Sequence, residues 1–311
     1  MRLSLAFSSA ALLGFAFSSF AQGPAISPGG VVNTASFVQG QATAGGSLVA
    51  IFASPLAAGL APLATVPMPT ITAGGIVPVY SNVSTIQSGE WVSIYGTNLS
   101  GTGANATWNG DFPQSLGSTS VTIDGKSAYL WYVSPTQINL QVPQDSATGT
   151  VQVVVTTPSG SVTSTVTLGQ FAPSFSLLDA KHVAGIILRS DGSGAYGGGT
   201  YDIVGPTGTS LGYKTVAAKA GDSVVLFAVG LGPTNPVVPP GAPYTGAATT
   251  TNTVNLLINS ASITPGFCGE TSAGLYQMNL TIPSGLGTGD VSLQAMVGGA
   301  QTPSGPVISL Q

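Results

Sequence analysis

The chain has 311 residues, only 5% of them charged, and a net charge of −4 at pH 7. A typical soluble domain is about 25% charged, so Ser, Thr, Asn, Gln and exposed backbone must keep this one in water. Setting Arg2 aside leaves five of the six cations, scattered among ten acids. That excludes nucleic-acid binding, which needs clustered Lys and Arg.

The chain opens with "MRLSLAFSSAALLGFAFSSFAQG", one early cation and then an apolar run ending in small residues. This predicts a signal peptide over residues 1–21, cleaved after Ala21. The product would be secreted or displayed on the cell surface, with no membrane span after cleavage. A retained anchor is the competing expectation, because Leu3 to Phe20 approaches the length a span requires. Five serines and a glycine in that stretch weigh against it.

Residues 22–70 form an N-terminal partial repeat followed by an Ala/Pro-rich linker. "ISPGGVVNTAS…GGSLVAIFASPL" (26–56) matches "ITAGGIVPVYS…SGEWVSIYGTNL" (71–99), and the match then dissolves into "AAGLAPLATVPMPT". These early strands lack the rest of a sandwich. They must pair with another domain, pair with another chain, or stay loosely ordered.

Residues 71–170 and 171–311 are expected to be two copies of one domain. "SPTQINLQVP" (134–143) returns as "AGLYQMNLTIP" (273–283), "SGEWVSIYGTNL" resembles "AGDSVVLFAVGL" (220–231), and "VTIDG" (121–125) resembles "LLINS" (256–260). All three keep their order, as a duplication would. In the opening phrase Ile138, Leu140 and Val142 share one strand face and the amides the other. Pro143 lacks the N–H needed to continue a ladder. "VQVVVTT" and "SVTSTVTL" bracket "TPSG" as a hairpin, and "SVVLFAVG" reads as a strand covered on both faces. Dense Gly and Pro, and no long 3.6-residue period, point to β-sandwiches.

The motif set "GGxVxxxS…GxxVxIxGxNL…VxIDG…LxYVSPTQINxQVP…GLGP…GLYQxNxxIP" resembles the C-terminal domain family of secreted Solibacter-type acidobacterial proteins. More distantly it resembles the IPT/TIG immunoglobulin-like superfamily. The likeness covers roughly residues 71–310. It implies an all-β fold: two tandem immunoglobulin-like (IPT/TIG-like) β-sandwich domains with a short N-terminal β segment. The Solibacter-type family has no established activity, so no catalytic residue carries over. Three departures stand out: Tyr129 and Trp131, the long "SGAYGGGTYDIVGPTGTSLGYKTV" (193–216), and "CGETSA" (268–273), which expands a tighter turn.

Catalytic constellations are sparse. Gly208-Thr209-Ser210-Leu211-Gly212 fits the nucleophile-elbow pattern, but that elbow needs a strand–turn–helix setting and a downstream histidine. The single histidine, His182, lies upstream and is expected at the surface or a domain junction. One His and one Cys exclude an ordinary zinc site. No cofactor, metal or catalytic residue is assigned, and most acids sit beside glycines in turns. Cys268 is either buried or free for an intermolecular disulfide, burial being the better expectation.

The aromatics give the functional lead. With Leu130 and Tyr132 in the core, as the resemblance implies, Tyr129 and Trp131 face outward; they either cover an interdomain seam or the early strands, or act as ligand contacts, with Trp108 as another. The expectation is a non-catalytic exported binding or structural module, adhering to polysaccharide, cell envelope or another protein. Self-association through unguarded strand edges is expected with it. The alternatives are a secreted hydrolase using Ser210 or a carboxylate pair, and a passive spacer. Few titrating groups predict a melting temperature nearly independent of pH between mildly acidic and neutral buffer.

Overall fold

The computed structural model describes residues 25–33, 49–54 and 67–311. The signal peptide expected over residues 1–21 and most of the linker lie outside the described residues. The chain divides into two compact units, Met1–Val66 and Pro67–Gln311. Described in the first unit is one antiparallel pair, Ala25–Asn33 with Val49–Ser54. Its register matches that of Thr70–Pro78 with Trp91–Thr97 pair for pair. Ile26↔Ala53 corresponds to Ile71↔Gly96, Val31↔Ile51 to Ile76↔Ile94, and the irregularity falls between the same positions. The partial repeat therefore has the backbone pairing of the copy it resembles.

The second unit is all-β, with no α-helix among the described residues. A five-stranded sheet runs Thr70–Pro78, Trp91–Thr97, Gln137–Gln141, Tyr129–Val133, Ala106–Thr107. It packs on a six-stranded sheet built around Thr119–Ile123, Gly149–Thr157 and Gly160–Gly169. Alternation decides which side chains meet between the sheets. Val92, Ile94, Ile138 and Leu140 point inward onto Val121, Ile123, Val153, Val155 and Leu168, all buried. Each such side chain contributes about 1.5–3 kcal/mol relative to exposure.

The second sandwich repeats the plan. Gly185–Leu188, Ser223–Val229, Leu275–Thr281 and Phe267–Ser272 lie in that order in an eight-stranded sheet. They match Thr70–Pro78, Trp91–Thr97, Gln137–Gln141 and Tyr129–Val133 of the first. Leu226, Met278 and Leu280 share its core with Leu256, Ile258, Leu293 and Ala295 from a five-stranded sheet. "CGETSA" is no expanded turn. Cys268 to Ser272 belong to the strand Phe267–Ser272, irregular between Glu270 and Ser272, and only Ala273 lies in the turn. Cys268 is buried, and burial pushes its thiol up to about 12, leaving it unreactive.

The repeated phrase therefore serves two separate cores. Leu140→Ala and Leu280→Ala should each cost about 2–5 kcal/mol, read as a lower urea midpoint. A loss below about 1 kcal/mol at either position would show that the phrase is not a core strand there.

Candidate functional site

The two sandwiches of the second unit meet along a polar seam. Gln87 Nε2 donates to the Tyr276 hydroxyl at 3.2 Å, and Gln87 Oε1 accepts from Gly232 N–H at 2.7 Å. The Tyr276 hydroxyl in turn donates to the Gly232 carbonyl. Nearby, Gln141 Nε2 donates to Gly89 O and Gln141 Oε1 accepts from Gly241 N–H, both at 2.9 Å. Trp91 Nε1 donates to Ala273 O at 2.8 Å. Gly274, from the second copy of the repeated phrase, has φ +67°, and a Cβ there would stand 2.6 Å from Gly89 O. Only glycine permits that backbone and that approach.

Beside the seam, on the outer face of the five-stranded sheet, lies a cleft of about 570 Å³. Trp91 and Ser93 form its floor with Gln137 and Asn139, because these residues alternate with Val92, Ile94, Ile138 and Leu140. Trp108 and Trp131 stand edge-on to Trp91, with centroids 5.7 Å and 5.8 Å away at 75° and 72°. Phe112 backs Trp108 at 4.6 Å. Leu177, Val229 and Leu275 of the second sandwich close the far side.

A bulge puts Trp131 there. Leu130 pairs with Leu140 but Tyr132 pairs with Asn139, so Trp131 is an extra residue in its strand. The expected face assignment is corrected at one position: Val133, not Tyr132, follows Leu130 into the core, and Tyr132 is only partly buried. Simple alternation could not foresee the inserted residue. Trp131 is 38% exposed. The structure brings Trp131 and Trp108 together around Trp91, and it separates Tyr129 from them. Tyr129 is half-buried with its ring against Gly241, outside the residues lining the cleft. Trp91, Phe112 and Asn139 were not singled out from the sequence, although the alternation of Trp91, Ser93 and Tyr95 against Val92 and Ile94 carried the signal.

No catalytic arrangement is assembled from the sequence candidates. Ser210 sits in an exposed turn with no helix after it. His182 is buried within the second sandwich instead of lying at the surface or a domain junction, the two places expected for it. Its Nδ1 lies 2.8 Å from Asp179 and its Nε2 3.1 Å from Asp290. The Lys181 ammonium also meets Asp290, at 2.8 Å. These contacts hold the Asp179 and Asp290 carboxyls down to about 2 against the cost of partial burial, hydrogen bonds from His182, Lys181 and Ser309 outweighing it. Asp222, beside Gly221 in a turn, pairs with Arg189 at 3.0 Å, and Arg189 reaches Asp202 at 2.8 Å. Among the described residues no group of three or more His, Cys, Asp and Glu is placed to hold a metal.

The first sandwich is of immunoglobulin-like type, and an IPT/TIG domain is found at residues 73–172. No curated protein matches the chain. Among solved structures, SGBP-B of the Bacteroides ovatus mixed-linkage glucan utilization locus, in complex with a mixed-linkage heptasaccharide, is 11% identical, with a TM-score of 0.31. The match covers 85% of this chain and 49% of that one, so the chain spans about half its length. The plexin A4 extracellular region is 15% identical over 78% of this chain and 18% of its own, with a TM-score of 0.26. Titin domains Z1Z2 with telethonin are 14% identical over 78% and 96%, with a TM-score of 0.19. Likenesses this distant define no ligand.

Two carboxyls are buried at the seam. Glu90 Oε2 accepts from Gln87 N–H at 2.7 Å, while its Oε1 is buried without a partner beside Gly230. Glu270 faces the Tyr276 hydroxyl and also has a buried oxygen without a partner. Desolvation raises Glu90 well above the ordinary carboxyl range and pushes Glu270 up to about 7. The folded protein therefore holds protons that the unfolded chain releases above about pH 4.5. Stability is full below that pH and falls as pH rises toward 7 and beyond. The lowered Asp179 and Asp290 act in the opposite sense, but only below about pH 4. This replaces the pH-independence expected from the small number of charges: two buried groups suffice. The melting temperature should be several degrees lower at pH 8 than at pH 5, and Glu270→Gln should shrink the difference. A higher melting temperature at pH 8 would contradict the assignment.

Proposed function

We propose that this protein is a non-catalytic exported binding module whose contact surface is the tryptophan cleft beside the seam. One observation carries the reading: all three tryptophans of the chain converge on a single open cleft. Large amphipathic rings held rigidly at a surface cost little entropy to use in binding. Export is supported by the signal-like residues 1–21 and by the resemblance to secreted Solibacter-type proteins. No helix among the described residues is long and apolar enough to cross a membrane. The hydrolase alternative draws no support from Ser210, which lies in an exposed turn, or from His182, whose ring nitrogens are both engaged.

The test is capture of the full chain on insoluble polysaccharides and on cell-envelope fractions. Trp131→Ala should lower the retained fraction at least about fivefold with an unchanged melting temperature. Equal retention of wild type and variant would remove the cleft from the binding surface.

Self-association through a strand edge accompanies this reading. Thr70–Pro78 ends its sheet, and no residue from Leu3 to Gly89 is charged. Edges are ordinarily guarded by charge against pairing with another chain. Sedimentation velocity should show a dimer growing with concentration, and Thr72→Lys should suppress it. One monomeric species throughout the range would contradict edge pairing.

A further inference from the structure

The chemistry of the cleft floor narrows its ligand, an inference that rests on the cleft being a binding surface. Asn139 Oδ1 accepts from Ser93 Oγ at 2.9 Å and from Gln137 Nε2 at 2.8 Å. Those bonds leave Asn139 Nδ2 as a donor and Gln137 Oε1 as an acceptor without partners among the described residues. The two face the cleft between aromatic walls. None of the residues lining the cleft is Asp, Glu, Lys, Arg or His.

Each class of ligand meets this surface differently. A polyanion or polycation finds no opposite charge. A purely apolar tail would strip water from the free amide groups and return no hydrogen bond, a net cost. A ligand with flat C–H faces and hydroxyls that both donate and accept satisfies every group present. We propose that the cleft binds a segment of an uncharged carbohydrate chain, its sugar rings lying against Trp131 and Trp108 and its hydroxyls bonding Asn139 and Gln137. Trp91, tied to Ala273 O and edge-on to both other indoles, sets the rings in place before the ligand arrives.

The molecule contains its own control. In the second copy Gln277 Nε2 donates to Asn279 Oδ1 at 2.7 Å, the same amide pair on the same strand face. There Val225 replaces Ser93 as the cross-strand neighbour. The depression that includes Asn279 is lined by residues such as Leu188, Ile263 and Thr281, with no aromatic ring. An amide pair alone should bind nothing.

The experiment titrates the full chain with cellohexaose, xylohexaose, mannohexaose and laminarihexaose, and with an oligogalacturonate as the charged probe. Intrinsic tryptophan fluorescence and calorimetry are the readouts. At least one neutral saccharide should bind and perturb the fluorescence, and the oligogalacturonate should not. Trp131→Ala should weaken binding at least about tenfold and Asn139→Ala about fivefold, while Asn279→Ala changes nothing. A melting temperature kept by each variant separates lost contact from lost fold. Three results would overturn the proposal: no neutral saccharide binding, preferential binding of the oligogalacturonate, or equal weakening by Asn139→Ala and Asn279→Ala. If Trp131→Ala still abolishes capture by envelope fractions in the first case, the ligand class is wrong and the binding surface stands. If it leaves capture unchanged, the binding surface falls as well.

Discussion

Gln87 spends both ends of its amide on the opposite sandwich, donating to the Tyr276 hydroxyl and accepting from Gly232 N–H. Both partners are buried away from water, so breaking either bond exposes an unmet polar group and not merely a lost contact. Tyr276 is also a core residue of its own sandwich, and Glu90 accepts the Gln87 backbone N–H. The seam is therefore continuous with both cores. Its packing places Ala273 O where Trp91 Nε1 can reach it, and so decides where the cleft lies.

The cleft also depends on one extra residue. Were Tyr129–Val133 a regular strand, Tyr132 would follow Leu130 inward and the Tyr129/Trp131 pair would stand as uniform neighbours. The bulge at Trp131 shifts the alternation by one residue, sends Val133 inward and sets Trp131 against Trp91. Tyr129, before the bulge, is instead covered by Gly241. Two aromatics that look equivalent in the sequence have different surroundings: one lines a cleft and the other packs under a loop.

Charge is sparse in this chain but placed in compact groups. Arg189 lies between Asp202 and Asp222, and His182 between Asp179 and Asp290, with Lys181 beside it. These groups pin loops to strands of the second sandwich, so acids that sit in turns also tie down side chains from other segments. Glu90 and Glu270 are held differently. Buried in the seam without a cation, both have raised proton affinity, and that rise comes from desolvation and not from charge pairing.

Residue pattern alone determined the duplicated cores and the faces of the regular strands, because alternation fixes which side chains point inward: Ile138 and Leu140 in one copy, Met278 and Leu280 in the other. It also determined that the chain has one histidine and one thiol, too few for ordinary zinc-site chemistry. Only the tertiary structure decided that Trp91 joins Trp108 and Trp131, that Tyr129 does not, and that Glu90 and Glu270 are buried at one seam. These depend on how two sandwiches abut and where a ladder slips. Residues 91 and 273 are distant in sequence, and no local periodicity reports the contact that brings them together.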